Sequence, residues 1–187
     1  QWNHNPDNRN WSLTERPGYL RLRTGQISRD ILEARNTLTQ RTFGPECSAC
    51  VAIEVNGMKD GDYAGLGALQ KNYGLVAVKR TGTGREIVML DGTGEKAVEV
   101  EKVELIQDRV YLKIECDFRD QRDLAYFYYS LDGSQWKAIG CPVQMSYTIP
   151  HFMGYRFALF NYATKSIGGY VDFDYYRISD KMTGPGL

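Results

Sequence analysis

The sequence predicts an all-β protein, a two-sheet antiparallel β-sandwich or jelly roll. About a dozen runs of four to ten residues alternate apolar with polar, the period of a half-buried strand. Between them stand Asn-Gly, Asp-Gly and Gly-rich links suited to hairpins. No stretch carries the 3.6-residue period of a long amphipathic helix.

The elements follow in order. Residues 1–25 begin with Trp2, His4, Pro6, Asp7 and Trp11 among loop formers, and within them Tyr19–Thr24 is the first firm strand. Asp30–Asn36 fits a turn or a strand equally well. Thr37–Phe43 is rich in β-branched residues and stops at Gly44-Pro45. Cys47–Val55 places Cys47, Ala49, Val51, Ile53 and Val55 on one side. Ala64–Gln70, Gly74–Arg80, Arg85–Leu90 and Ala97–Leu105 follow, with Thr81-Gly-Thr-Gly and Asp91-Gly-Thr-Gly as turns. Val110–Phe118 alternates most cleanly, with Val110, Leu112, Ile114, Cys116 and Phe118 inward. Leu124–Leu131 turns at Asp132-Gly133 toward Trp136. Tyr155–Tyr162 and Tyr170–Ser179 read as the closing antiparallel pair, joined through Ile167-Gly-Gly. In the last run Val171, Phe173 and Tyr175 share the inner parity, and Asp172, Asp174 and Tyr176 the outer.

Composition narrows the function classes. With 187 residues the chain makes one large all-β domain, expected over 1–180 with a tail at 181–187. Lysine and arginine number 23 against 23 acids, and no basic stripe interleaves with the aromatics, which argues against nucleic acid as partner. No apolar run is long enough to span a bilayer, so no membrane partner is expected. The chain opens at Gln1 without a basic or apolar leader, leading to the expectation of a processed protein or an excised module. Cys47 and Cys50 make a C-x-x-C with no second pair to complete a zinc site, and on a strand their thiols face opposite ways. A Cys116–Cys141 bridge is open. Thirteen tyrosines offer flat rings with polar tips, for a core or for a sugar face.

Several motifs invite chemistry. Thr81-Gly-Thr-Gly lacks the following helix and Lys-Ser/Thr of a phosphate cradle and reads as a hairpin. Glu95, Glu99, Glu101 and Glu104 read as the wet side of a strand. Asp172 and Asp174, same-face neighbours roughly 6.5–7 Å apart along a strand, admit three readings: a hydrolase carboxylate pair, a hard-cation site that would take a structural calcium ion, or hydrogen-bonded structural acids. His4 and His151 accompany no nucleophile signature.

Taken in order, Trp2-Asn-His-Asn-Pro with Trp11-Ser-Leu, Arg16-Pro-Gly-Tyr-Leu-Arg-Leu, Ala34-Arg-Asn-Thr-Leu-Thr-Gln-Arg, Gly57-Met-Lys-Asp-Gly-Asp-Tyr-Ala-Gly-Leu, Gln70-Lys-Asn-Tyr-Gly and Val171-Asp-Phe-Asp-Tyr-Tyr-Arg make up a pattern. It resembles the C-terminal concanavalin A-like β-sandwich of glycoside hydrolase family 43 β-xylosidases and arabinofuranosidases, over about residues 1–180. The resemblance implies two curved antiparallel sheets, secreted or cell-associated plant-cell-wall enzymes and xylan-type substrates. It also implies no hydrolytic centre in this module. The five-bladed propeller with the family's three catalytic carboxylates has no room in this chain. In the family a loop of the sandwich brings an aromatic to the propeller's active site. Pro150-His-Phe-Met-Gly matches it, making Phe152 the expected catalytic-domain contact with His151 beside it, and Met153 standing where a small polar residue is more usual.

Two functions are therefore expected. One is a non-catalytic module that binds xylan or arabinoxylan oligosaccharides and positions a neighbouring hydrolase. Its candidate residues, chosen for ring faces, amide or guanidinium donors and outward parity, are Trp2, Trp11, Arg41, Gln70, Tyr73, Tyr128, Trp136 and Asn161. The other is a structural accessory domain that completes the propeller's active site without holding free glycan. An enzyme using Asp172 and Asp174 is the reading set against both.

Overall fold

The computed structural model describes residues 1–4, 6–82, 84–147 and 154–185. Among these residues fourteen strands form two antiparallel sheets. They are β1 (Trp11–Ser12), β2 (Leu20–Arg23), β3 (Leu38–Arg41), β4 (Glu46–Glu54), β5 (Asp62–Leu69), β6 (Gly74–Thr81), β7 (Gly84–Asp91), β8 (Val98–Glu104), β9 (Arg109–Asp117), β10 (Leu124–Ser130), β11 (Lys137–Ala138), β12 (Val143–Gln144), β13 (Arg156–Ala163) and β14 (Tyr170–Ser179). The first sheet runs β1-β2-β14-β4-β9-β10-β11, with β12 also on β10; the second runs β3-β13-β5-β6-β7-β8. The predicted sandwich is the observed one. Single 3-10 turns at Asn8–Asn10 and Arg119–Gln121 are the helical elements among the described residues.

The core lies where alternation placed it. Cys47, Ala49, Val51 and Ile53 of β4, with Val110, Leu112, Ile114 and Cys116 of β9, meet Leu66, Val76, Val78 and Ile87 of the second sheet, all fully buried. Each such aliphatic chain contributes about 1.5–3 kcal/mol on burial. A second cluster forms on the outer face of the six-stranded sheet, where Ile31 and Ala34 cover Leu69, Tyr73, Leu75, Phe160 and Tyr162. The segment Asp30–Asn36 is thus a turn-rich cover, not a strand.

Two expectations need correction. β13 and β14 are not a hydrogen-bonded pair: β13 lies between β3 and β5, whereas β14 lies between β2 and β4. Gly168 (φ +88°) helps the link cross from one layer to the other. In β14 itself the register shifts between Phe173 and Tyr175, so Tyr176, not Tyr175, follows Phe173 onto the inner face, opposite Val51. The extra residue is Asp174. A bulge reverses the parity of everything beyond it. All four cysteines are free; Cys116 is buried opposite Cys47 and Cys141 is exposed, so the Cys116–Cys141 bridge is not formed.

Candidate functional site

The outer face of the larger sheet carries a ladder of charges across four strands. Asp172 is 2% exposed and stands opposite Arg21 of β2 and Glu54 of β4. Arg21 Nε and Nη2 donate to its two carboxylate oxygens at 2.7 and 2.8 Å. Arg16 Nη1 bridges Asp172 at 3.2 Å and Glu54 at 2.7 Å. Arg109 continues the row to Glu54 at 3.1 Å and Asp174 at 2.5 Å. Tyr19 and Tyr170 lie under the Arg16 and Arg21 guanidinium carbons at 3.6 and 4.0 Å. Burial pushes the Asp172 carboxyl up, but the hydrogen bonds from Arg21 and Arg16 prevail and hold it below its usual range.

This arrangement weighs against the cation-site reading of Asp172 and Asp174. Both Asp172 oxygens and one of Asp174 already face guanidinium donors, which supply the positive charge a calcium ion would bring. Among the described residues no three His, Cys, Asp or Glu side chains gather around one point. The residues do not fit a hard-cation site, which needs six or more converging oxygens.

Beside the ladder, the gap between the sheets opens at their edges into a groove of about 550 Å³. Tyr19, Leu20 and Tyr176 line it from one sheet; Leu38, Gln40 and Gln1 line it from the other. Trp2 and Trp11, with ring centroids 5.5 Å apart, pack against the core at this edge. The Tyr176 hydroxyl and the Trp11 indole nitrogen are buried without a hydrogen-bond partner.

A second recess, of about 400 Å³, has Gly154 in its wall, the first described residue after 148–153. Its walls include Asn3, His4, Gln70, Lys71 and Arg156. Arg156 donates to Asn3 Oδ1 at 2.5 Å and Thr39 Oγ1 at 3.3 Å, and among the described residues it meets no carboxylate. Its register partner on β3 is Arg41. Burial, then the charge of Arg41, lowers the Arg156 pKa from its ordinary value. His151 and Phe152 lie outside the described residues.

The eight glycan candidates do not form one surface. Tyr73, Gln70, Tyr128 and Asn161 are at most 6% exposed, which corrects their expected outward display. Tyr73 belongs to the second core cluster. The Asn161 amide donates to Leu22 O at 2.9 Å, tying the two layers together. Tyr128 lies below Lys113, whose Nζ is 4.7 Å from its ring centroid and 4.9 Å from that of Trp136. Outward parity failed as a guide because Asn161 faces the other layer and because part of each outer face is covered, one by Ile31 and Ala34 and the other by residues 181–184. The latter rest on Lys113 and Glu115, 3.0 Å apart and nearly fully buried. Glu115 accepts from the Thr183 and Gly184 amides at 2.9 and 3.1 Å, and Lys113 donates to Gly184 O at 2.6 Å. Trp2, Trp11 and Trp136 are half-buried and Arg41 is exposed. Arg156 and Asn3 were not anticipated. The one available signal was an arginine opening the otherwise apolar run Phe157–Phe160.

Comparison with known proteins follows the same lines. A family model described as the β-xylosidase C-terminal concanavalin A-like domain matches residues 1–179. A solved structure of a bifunctional GH43-CE protein of Bacteroides eggerthii superposes with a TM-score of 0.96 at 60% identity, over 97% of this chain and 24% of that one. A GH43 glycoside hydrolase engineered to display both endo-xylanase and exo-arabinofuranosidase activity matches with a TM-score of 0.88 at 31% identity, over 95% and 37%. A β-xylosidase of Formosa agariphila is 29% identical over 94% of this chain and 32% of its own length. This chain therefore spans about a third or less of these curated and solved relatives' lengths, except for 37% of one. Its sheets, its ordered motifs and the matched span agree: the chain belongs to the family of β-xylosidase C-terminal concanavalin A-like domains of GH43 proteins.

Proposed function

We propose that this domain is a non-catalytic accessory element that docks against a GH43 catalytic domain in its parent chain, with the recess around Gly154 as the contacting face. The observation that carries the reading is the pairing of Arg156 with Arg41 across β13 and β3. Like charges directly opposite each other on adjacent strands destabilise a sheet. No acid among the described residues relieves this pair, and Arg156 is half-buried, so an oxygen-rich partner surface would stabilise it. Asn3, His4 and Lys71 supply further polar groups on the same walls. Gly154, which follows His151 and Phe152 in the sequence, is in the wall of that recess, and the role of reaching the partner's active site falls in this reading to those two residues. A secreted location accompanies this reading, with xylan-type polysaccharide as the substrate of the whole enzyme.

Free-glycan binding draws less support, since four of its eight candidates are buried, and Trp136 stands next to β11 of one sheet while Arg41 is on β3 of the other. Two measurements separate the readings. Arg156→Ala in the parent hydrolase should lower kcat/KM on an aryl xyloside roughly tenfold, the effect of about 1.4 kcal/mol. The isolated domain should run unretarded through xylan-containing gels. Full activity of the variant would refute the docking role, and retardation would restore the binding module.

A further inference from the structure

The first three residues already behave as a strand along the edge of the six-stranded sheet. Gln1 N donates to Thr39 O at 2.7 Å, and Thr39 N returns to Gln1 O at 2.7 Å. Asn3 N donates to Thr37 O at 2.9 Å, and Trp2 faces Leu38 in antiparallel sense. Peptide groups alternate direction along a strand. Thr37 and Thr39 turn theirs to this edge, whereas Thr42 N donates the other way, to Tyr155 O at 3.2 Å. Arg41 therefore directs its N–H and C=O toward the same edge as Thr39, one step beyond Gln1, where no described residue reaches.

The side chains follow the same register. Trp2 points inward and packs on the core. With a period of two, the residue directly before Gln1 points inward as well. It would stand opposite Gln40, over the 550 Å³ groove lined by Leu20, Leu38 and Tyr176. Unpaired edges and open apolar gaps both cost stability, and one added strand resolves both. The family is a C-terminal domain, and its relatives are several times longer than this chain.

We propose that the polypeptide immediately preceding Gln1 in the parent chain extends this pairing antiparallel to β3, bonding the Arg41 peptide, and that its last residue places an apolar side chain in the groove. The linker then enters the domain as an edge strand, which fixes how the preceding domain is held. This goes beyond the docking function and does not depend on it.

Amide hydrogen exchange of Arg41 in the parent protein tests it, comparing the native chain with one whose four residues before Gln1 are replaced by Gly-Ser-Gly-Ser. The native parent should protect the Arg41 amide roughly a hundredfold, and the replacement should remove at least about tenfold of that. Arg41→Pro removes this N–H together with the side chain, so it should lower the Tm of the native parent by clearly more than Arg41→Ala does, whereas in the replaced chain the two substitutions should differ less. An unprotected Arg41 amide in the native parent overturns the proposal. So does protection that survives the replacement, since another segment or domain would then occupy the edge. If the replaced chain does not fold, a native parent in which Arg41→Pro lowers the Tm no more than Arg41→Ala overturns it by itself.

Discussion

Asp117 and Asp62 are both almost wholly buried, yet their carboxyls move in opposite directions. Asp117 accepts from Arg119 Nε at 2.8 Å and from the Arg119 amide at 3.0 Å, and the guanidinium bond outweighs burial to bring its pKa to about 2. Asp62 has only the Lys59 amide at 2.8 Å; its Oδ1 lacks a partner, and burial raises it to about 6. A depressed carboxyl contributes stability that is present above its unfolded pKa of about 3.8 and lost as the pH falls toward 2. A raised carboxyl binds its proton more tightly when folded, so its neighbourhood loses stability as the pH climbs from about 4 through 6. Asp117→Asn should therefore narrow the stability gap between pH 2.5 and pH 4.5 by about 1–2 kcal/mol, measured from urea midpoints. An unchanged gap would mean that Arg119 exerts no net hold on the folded carboxylate. The outward rings Tyr73 and Tyr128 illustrate how far such details are readable beforehand. Their positions in the pattern were plain, but Tyr73 is covered by Ile31 and Ala34 from a distant segment, and Tyr128 by Lys113 of the neighbouring strand.

Strands were the most legible objects. Nearly every alternating run became one, because a half-buried sheet imposes its period on side-chain chemistry. β14 shows where that logic breaks: one residue, Asp174, is absorbed as a bulge, and the inner tyrosine becomes Tyr176. Nothing in the run Asp-Phe-Asp-Tyr-Tyr marks the shift, since tyrosine suits either face. The segment after β14 was read as a bare tail, yet residues 181–184 satisfy a buried Lys113–Glu115 pair through their backbone. Breaking a buried ion pair costs about 3–5 kcal/mol, but here the strap can lift and let water reach Lys113, which caps the loss. Glu115→Ala should lower global stability by about 1–3 kcal/mol and expose 181–185 to limited proteolysis. Cleavage rates equal to those of the parent sequence would show that the strap is held by other contacts.

Across the molecule, the spacing of the two layers is set by small residues facing large ones. A Cβ added at Gly74 on β6 would collide with the ring of Phe127, which reaches over from β10 and is 2% exposed. Neither layer can yield without disturbing the packed aliphatic chains between them. Gly74→Ala should cost about 1–3 kcal/mol and lower the Tm of the domain as one cooperative transition. Selective loss of one sheet on calorimetry would contradict the single shared core. The two layers also explain why the last two strands, adjacent in sequence, do not pair. A Gly-Gly link at 168–169 lets the chain change sheets, and turn residues alone do not say whether a link closes a hairpin or spans the sandwich.

Class, strand positions, inner face and family resemblance were all carried by the order of the residues, because period-two alternation and turn chemistry are local and act within a few positions. Accessibility was not. Whether an outward tyrosine meets water, whether Asp172 meets a metal or an arginine, and which edge lies open beside Arg41 depend on contacts between segments far apart in the chain. Those contacts arise from packing two sheets and their covers together, and no short-range pattern encodes them.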